Sequence, residues 1–220
     1  MIDCHIPDEG FKINLNLRKF EIVDFRTLEN PDSEIQNLPS ETLIWMEGKD
    51  RSALADRWKP VNPSLKVIDR AHLIEASSLA IWTTPPSPGE LRSVIETVKP
   101  ERIILFQGGK IDHGTEGFLK QLMGLVKFRL NHHDGIVPII ELACATTQME
   151  STIQSGLKWM IYQGMILIKE LNGVVQINKG ASGKDPVKAI TCLIEIGQLL
   201  EETAAYRNHF RQANQDTLFH

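Results

Sequence analysis

Glu116–Lys179 reads EGFLKQLMGLVKFRLNHHDGIVPIIELACATTQMESTIQSGLKWMIYQGMILIKELNGVVQINK, and this stretch decides the fold. Its apolar residues first recur at helical spacing. Gly135-Ile136-Val137-Pro138 then separates that first helix from a short second one. Thr146-Thr147 opens a third helix. Thr147 and Glu150 match a capping box, in which a hydroxyl takes one orphan amide and a carboxylate three residues on takes another. Met149, Ile153, Leu157, Met160 and Ile161 follow at helical spacing, and Gly164 occupies the left-handed stop. Two short apolar runs, Met165–Lys169 and Val174–Asn178, then flank Asn172-Gly173. That dipeptide is the strongest short-range hairpin signal, because both central residues of the turn must tolerate positive φ.

Helix, helix, helix, hairpin is the order of a winged helix, a module that grips DNA or another protein. The polar face of its third helix carries Gln148, Ser151, Thr152, Gln154, Ser155 and Lys158. In a DNA reader this face enters the major groove, with Lys169 and Lys179 on the wing as further cations. Charge limits the expectation. Between Thr115 and Gly180 six Lys or Arg (Lys120, Lys127, Arg129, Lys158, Lys169, Lys179) face five acids (Glu116, Asp134, Glu141, Glu150, Glu170), a net of +1. Non-specific duplex binding draws mainly on phosphate neutralisation, so the expected DNA contact is weak and salt-sensitive.

The first half follows a different pattern. Glu21–Phe25, Thr42–Met46, Leu65–Ile68, Leu79–Thr83 and Arg102–Phe106 read as strands, apolar enough for a parallel sheet covered on both faces. Arg51–Lys59 and Pro88–Val98 read as helices between them. The second starts firmly, with Ser87 as N-cap, Pro88 at the first position and Glu90 completing a capping box. Strands alternating with helices predict an open α/β sheet. After the wing, Asp185 and Pro186 open a long helix through about Asn214, with Val187, Ile190, Ile194, Leu200 and Ala204 on its apolar face. The predicted architecture is therefore an open, mostly parallel α/β domain over 1–112, a winged helix over 113–180, and a C-terminal helix over 181–220 that packs on the preceding modules.

Composition sets the bounds. The chain has 220 residues, a formal net charge of −4, 42% hydrophobic and 24% charged residues, ordinary values for a soluble globular protein. No apolar run reaches the roughly 20 residues that span a bilayer, and the N-terminus lacks the basic start and apolar core of a signal peptide. Cys4, Cys144 and Cys192 are scattered and form no disulfide framework. A reducing cytoplasm is the expected setting.

Catalytic signatures are missing from the pattern. Phe106-Gln107-Gly108-Gly109-Lys110-Ile111 follows a strand, but Ile111 stands where a phosphate-binding loop needs Ser or Thr. His132-His133-Asp134 falls at a helix C-terminus with Gly135 after it, where imidazoles complement the helix dipole. Cys4-His5 has no companion pair with zinc spacing. Trp45, Trp58, Trp82 and Trp159 can stack bases if exposed, yet most lie in apolar strand or helix patterns.

Leu79–Arg92, LAIWTTPPSPGELR, is similar to the strand, Pro-Pro-Ser, helix segment in the C-terminal region of RecJ, the single-stranded-DNA-specific exonuclease. Lys99–Phe106 resembles the next strand of that region. The Phe25-Arg26 end of the first strand is similar to its Asp-x-Arg type segment, with Asp24 before it. The winged helix and Leu200–Arg207 are similar to the close of the cyanobacterial versions. The resemblance runs from about Leu17 to Asn214 and implies a role in DNA repair or recombination. In that family the chemistry belongs to an upstream Asp-His-His domain that uses Mg or Mn, and this chain carries neither that domain nor its motif. No catalytic residue and no cofactor is therefore carried over. The implied partners are the catalytic domain of a RecJ-like exonuclease or other repair proteins, with DNA as a weak contact and no membrane.

Two further readings stand beside the accessory module. One is a free-standing winged-helix regulator that binds duplex DNA as a dimer, its α/β half sensing a small ligand. The other is a small hydrolase built on the α/β half.

Overall fold

Five strands whose side chains alternate between two apolar faces build the first half of the protein. The computed structural model describes residues 20–108, 114–171, 174–180 and 183–219. They belong to two compact units: one comprises residues up to Met46, Arg51–Gly109 and the chain from Ala205 on, the other Glu47–Asp50 and Lys110–Ala204. The predicted Asn172-Gly173 turn, Gly109-Lys110 and Cys4-His5 lie outside the described residues.

In the first unit, β1 (Glu21–Asp24), β2 (Leu43–Trp45), β3 (Lys66–Ile68), β4 (Ser78–Thr83) and β5 (Arg102–Gly108) form one wholly parallel sheet in the order β1-β5-β4-β2-β3. The expected α/β architecture with a parallel sheet is present. Leu43, Trp45, Leu79, Ile81, Ile103 and Leu105 point to one face, where α2 (Pro88–Val98) and the aromatic end of the chain pack. Ile44, Met46, Ala80, Trp82, Ile104 and Phe106 point to the other, covered by α1 (Arg51–Trp58) and the turn around Ile35. Burial on both faces is why these strands read as continuous apolar runs. Trp58, Trp82 and Phe106 meet there at ring distances of 4.6 and 5.1 Å, so Trp45, Trp58 and Trp82 serve the core. Ser87 caps α2 as its sequence predicts, its hydroxyl accepting the Glu90 amide at 3.2 Å.

The second unit stacks α3 (Thr115–His132), α4 (Ile139–Thr146) and α5 (Glu150–Tyr162) on a three-stranded antiparallel sheet. Its strands are β6 (Ile136–Pro138), β7 (Ile166–Leu171) and β8 (Val174–Lys179), in the order β6-β8-β7. Ile136–Pro138, read as a mere separator, is therefore a strand, paired with Val174–Gln176. Gly135 makes this possible. It sits at φ +72°, and an added Cβ would lie 1.9 Å from the Ile177 carbonyl oxygen. Thr147 does not cap α5. It ends α4 in the left-handed region at φ 58°, and Met149 holds the N-cap position of α5 without a side-chain bond. Gly164 follows α5 at φ 71°, as expected.

The long C-terminal helix α6 (Pro186–Gln212) is present, opened by Asp185, whose carboxylate accepts the Lys188 amide at 3.1 Å. Its packed face differs from the expectation. Val187, Ile190 and Ile194 are exposed, at 75, 59 and 59%, and Ala204 is exposed as well. Leu200 is buried as expected, and its buried companions are Ala189, Cys192, Ile196, Tyr206 and Phe210. Ile196 and Leu200 join the core of the second unit, while Tyr206 and Phe210 join that of the first. The helix carries two apolar stripes at helical spacing, and the buried one continues into the aromatic pair. Burial pushes both the Cys192 thiol and the Tyr206 phenol above their ordinary values, consistent with inert core groups. Among the described residues no helix is long and apolar enough to cross a membrane.

Candidate functional site

α5 supplies the face on which the sequence places DNA recognition, and its residues divide sharply. Ser151, Gln154 and Lys158 are exposed at intervals of three and four, one polar stripe along the helix. Gln148, Thr152 and Ser155 are buried, at 3, 0 and 2% exposure. They cannot enter a groove in this arrangement. Sequence polarity ordinarily marks solvent, so nothing local distinguishes the buried polar stripe from the exposed one.

The two hairpin lysines also part company. Lys169 pairs across from Gln176, which pairs on its other side with Ile136, and it shares that outward face with the exposed Leu167. Lys179 pairs with Ile166, whose side chain is buried on the opposite face. Cross-strand partners share a face and neighbours along a strand alternate. Lys169 and Lys179 therefore diverge, three residue pairs or about 10 Å apart along the hairpin. Lys158, Lys169 and Lys179 are exposed cations without an ion pair among the described residues, but they do not converge on one point.

His132 and His133 close α3, and Asp134 follows in the left-handed region at φ 50°. The His132 ring stacks on Phe128 at 4.5 Å with 24° between planes, and its Nδ1–H donates to the Phe128 carbonyl oxygen at 3.0 Å. The trio is a helix end with an aromatic neighbour. Among the described residues no three His, Cys, Asp or Glu side chains come together to hold a metal ion.

A constellation that the sequence reading did not single out lies in the first unit. Arg51, Ser52, Asp56 and His72 line a cavity of about 420 Å³ beside Val67 and Ile68 of β3. Asp69, buried beneath it, accepts the Ala71 amide at 3.1 Å, pairs with Arg51, and holds His72 through Nδ1 at 2.7 Å. The ring is thereby oriented, with Nε2 left for solvent or ligand. Its only sequence signal is the Asp69-x-x-His72 spacing after a strand. The sheet also reverses its direction of growth between β2 and β4, since β2 leads outward to β3 and β4 leads the other way to β5. Open α/β sheets bind ligands beyond such strand ends, and the cavity lies to one side of this one, against α1 and the edge strand β3.

Comparison with protein-family models, curated proteins and solved structures finds no match to this chain.

Proposed function

We propose that this chain is an accessory module of a RecJ-like 5′→3′ single-strand exonuclease in DNA repair or recombination, acting in the cytoplasm through protein and DNA contacts rather than its own chemistry. The observation that carries the reading is the order α3-β6-α4-α5-β7-β8 with sheet order β6-β8-β7. That order supports the winged-helix reading, with a short strand between the first two helices. The similarity of Leu79–Arg92 to the family's strand, Pro-Pro-Ser, helix segment supports the same reading. In the fold this segment is β4 running into the Ser87-capped α2. Burial of half the polar face of α5 favours protein docking or weak DNA contact over sequence reading in a major groove. Size-exclusion chromatography with the Asp-His-His catalytic core of a RecJ-type enzyme tests the proposal. Co-elution supports it, and separate elution at micromolar concentrations counts against it.

The cavity beneath His72 favours one alternative, a winged-helix regulator whose α/β half senses a small ligand. Nanomolar, sequence-specific duplex binding at physiological salt marks that alternative, since an accessory module has no need of it.

A further inference from the structure

We propose that the outward face of α3 is a platform for single-stranded nucleic acid, with Phe128 and His132 stacking a base and Lys120 and Lys127 holding the backbone. The inference rests on reading the second unit as a nucleic-acid-handling module, and it moves the contact away from α5. Phe118, Leu119, Leu122 and Val126 turn inward, which leaves Lys120, Gly124, Lys127, Phe128, Asn131 and His132 on the solvent side. From Gly117 to His133 the chain has no acidic residue, and Asp134 is the first acid after the platform. Lys120 and Lys127 make no ion pair among the described residues, whereas Arg129 is engaged by Glu141. The two lysines lie seven residues, about 10 Å, apart along the axis. Between them Gly124 leaves open space, with nothing within 4 Å of an added Cβ.

Phe128 distinguishes this face from an ordinary solvated one. Half of its surface is in water, on a helix whose other large apolar side chains turn inward or are partly covered. Its ring is already ordered by the His132 stack and its carbonyl holds the imidazole in place, while His133 approaches at 5.6 Å. A prearranged aromatic surface beside unpaired cations has the two components that sequence-tolerant single-strand binders combine. A duplex does not fit it. Paired bases hide their π faces in the stack, so a duplex offers the Phe128 ring nothing to stack on.

Fluorescence anisotropy on the intact chain at low salt tests the proposal with labelled oligonucleotides of about twelve nucleotides. The ligands are oligo-dT, oligo-rU and an abasic strand with the same phosphates. The expected result is binding of the base-bearing strands, with the stronger of dT and rU naming the natural strand. The abasic strand and the Phe128→Ala variant should each bind at least about fivefold more weakly. Phe128→Trp should retain affinity and lose indole emission on binding, which a misfolded variant cannot reproduce. Lys120→Ala with Lys127→Ala should lower the slope of log affinity against log salt by about 1.4, two single-strand phosphate contacts. Equal affinity for abasic and dT strands, or a Phe128→Ala variant that binds as tightly as the parent, overturns the platform. Neither result touches the docking test above, which reads protein association.

Discussion

Arg26 lays its guanidinium along both carboxylate oxygens of Asp24, two residues earlier, with Nε to Oδ1 at 2.9 Å and Nη2 to Oδ2 at 2.6 Å. The same group donates to the carbonyls of Phe210 and Ala213 at the close of α6, and it lies 5.7 Å from the Phe210 ring centroid. One buried arginine thus satisfies the end of β1, the orphan carbonyls of a helix C-terminus and an aromatic face. Arg26→Ala should cost about 2–3 kcal/mol in urea unfolding, since charge-assisted bonds are lost and buried carbonyls keep no donor.

The carboxylate of this pair sets an acid limit. The Arg26 side-chain bonds, above all, hold the Asp24 carboxyl below its ordinary value of 3.8. A depressed folded value contributes stability above the unfolded one, and the contribution disappears as pH falls through the folded one. Unfolding midpoints should therefore fall from about pH 4 downward. Asp24→Asn should be less stable at neutral pH and should lose part of that acid dependence. Denaturant titrations between roughly pH 2 and 7 read both effects.

Two isoleucines two residues apart on α6 should behave oppositely. Ile196 is fully buried in the second unit and Ile194 is 59% exposed. Ile196→Ala should cost about 2–5 kcal/mol through lost burial and an unfilled cavity. Ile194→Ala should stay within about 0.5 kcal/mol of the parent, because alanine loses little surface there and favours the helix. Equal losses would mean that the exposed stripe is packed in solution.

Gly135 and Gly124 form a second contrasting pair. Gly135→Ala places a Cβ on the Ile177 carbonyl in a left-handed conformation. It should cost at least about 2 kcal/mol and reduce amide protection at Ile177, which donates to the Gly135 carbonyl at 2.9 Å. Gly124→Ala lies mid-helix in open space. It should stabilise by about 0.5–1 kcal/mol.

What could be read from the chain alone follows from how local each signal is. Alternation of Leu43 and Trp45 with Ile44 and Met46, both sets apolar, announces a strand buried on two faces before any partner is known. The Ser87 cap and the Asp185 start are local too, and both stand in the fold. β6 is not local. Three residues including a proline carry no strand signal, and their partners Val174–Gln176 lie far along the chain. α6 bears two helical stripes, and only tertiary packing selects Ala189, Cys192 and Ile196 over Val187, Ile190 and Ile194. The polar face at α5 divides for the same reason: Gln148, Thr152 and Ser155 are polar by type and buried by context, while Ser151, Gln154 and Lys158 stay exposed. Phe128 shows the converse, an apolar side chain that the helix leaves in solvent.

Exonuclease turnover tests the central claim most directly. A 5′-labelled single strand is incubated with magnesium or manganese and the chain alone, a RecJ-type catalytic core alone, or both together. The accessory reading predicts that the chain alone releases no nucleotides, and that the core digests faster or at lower substrate concentration with the chain than without it. A two-metal site needs ligands that hold the ions about 3.5–4 Å apart, and the described residues gather no such set. Digestion by the chain alone that disappears in His133→Ala would contradict the account and make His132-His133-Asp134 a catalytic site. A core indifferent to the chain at every concentration would contradict it as well.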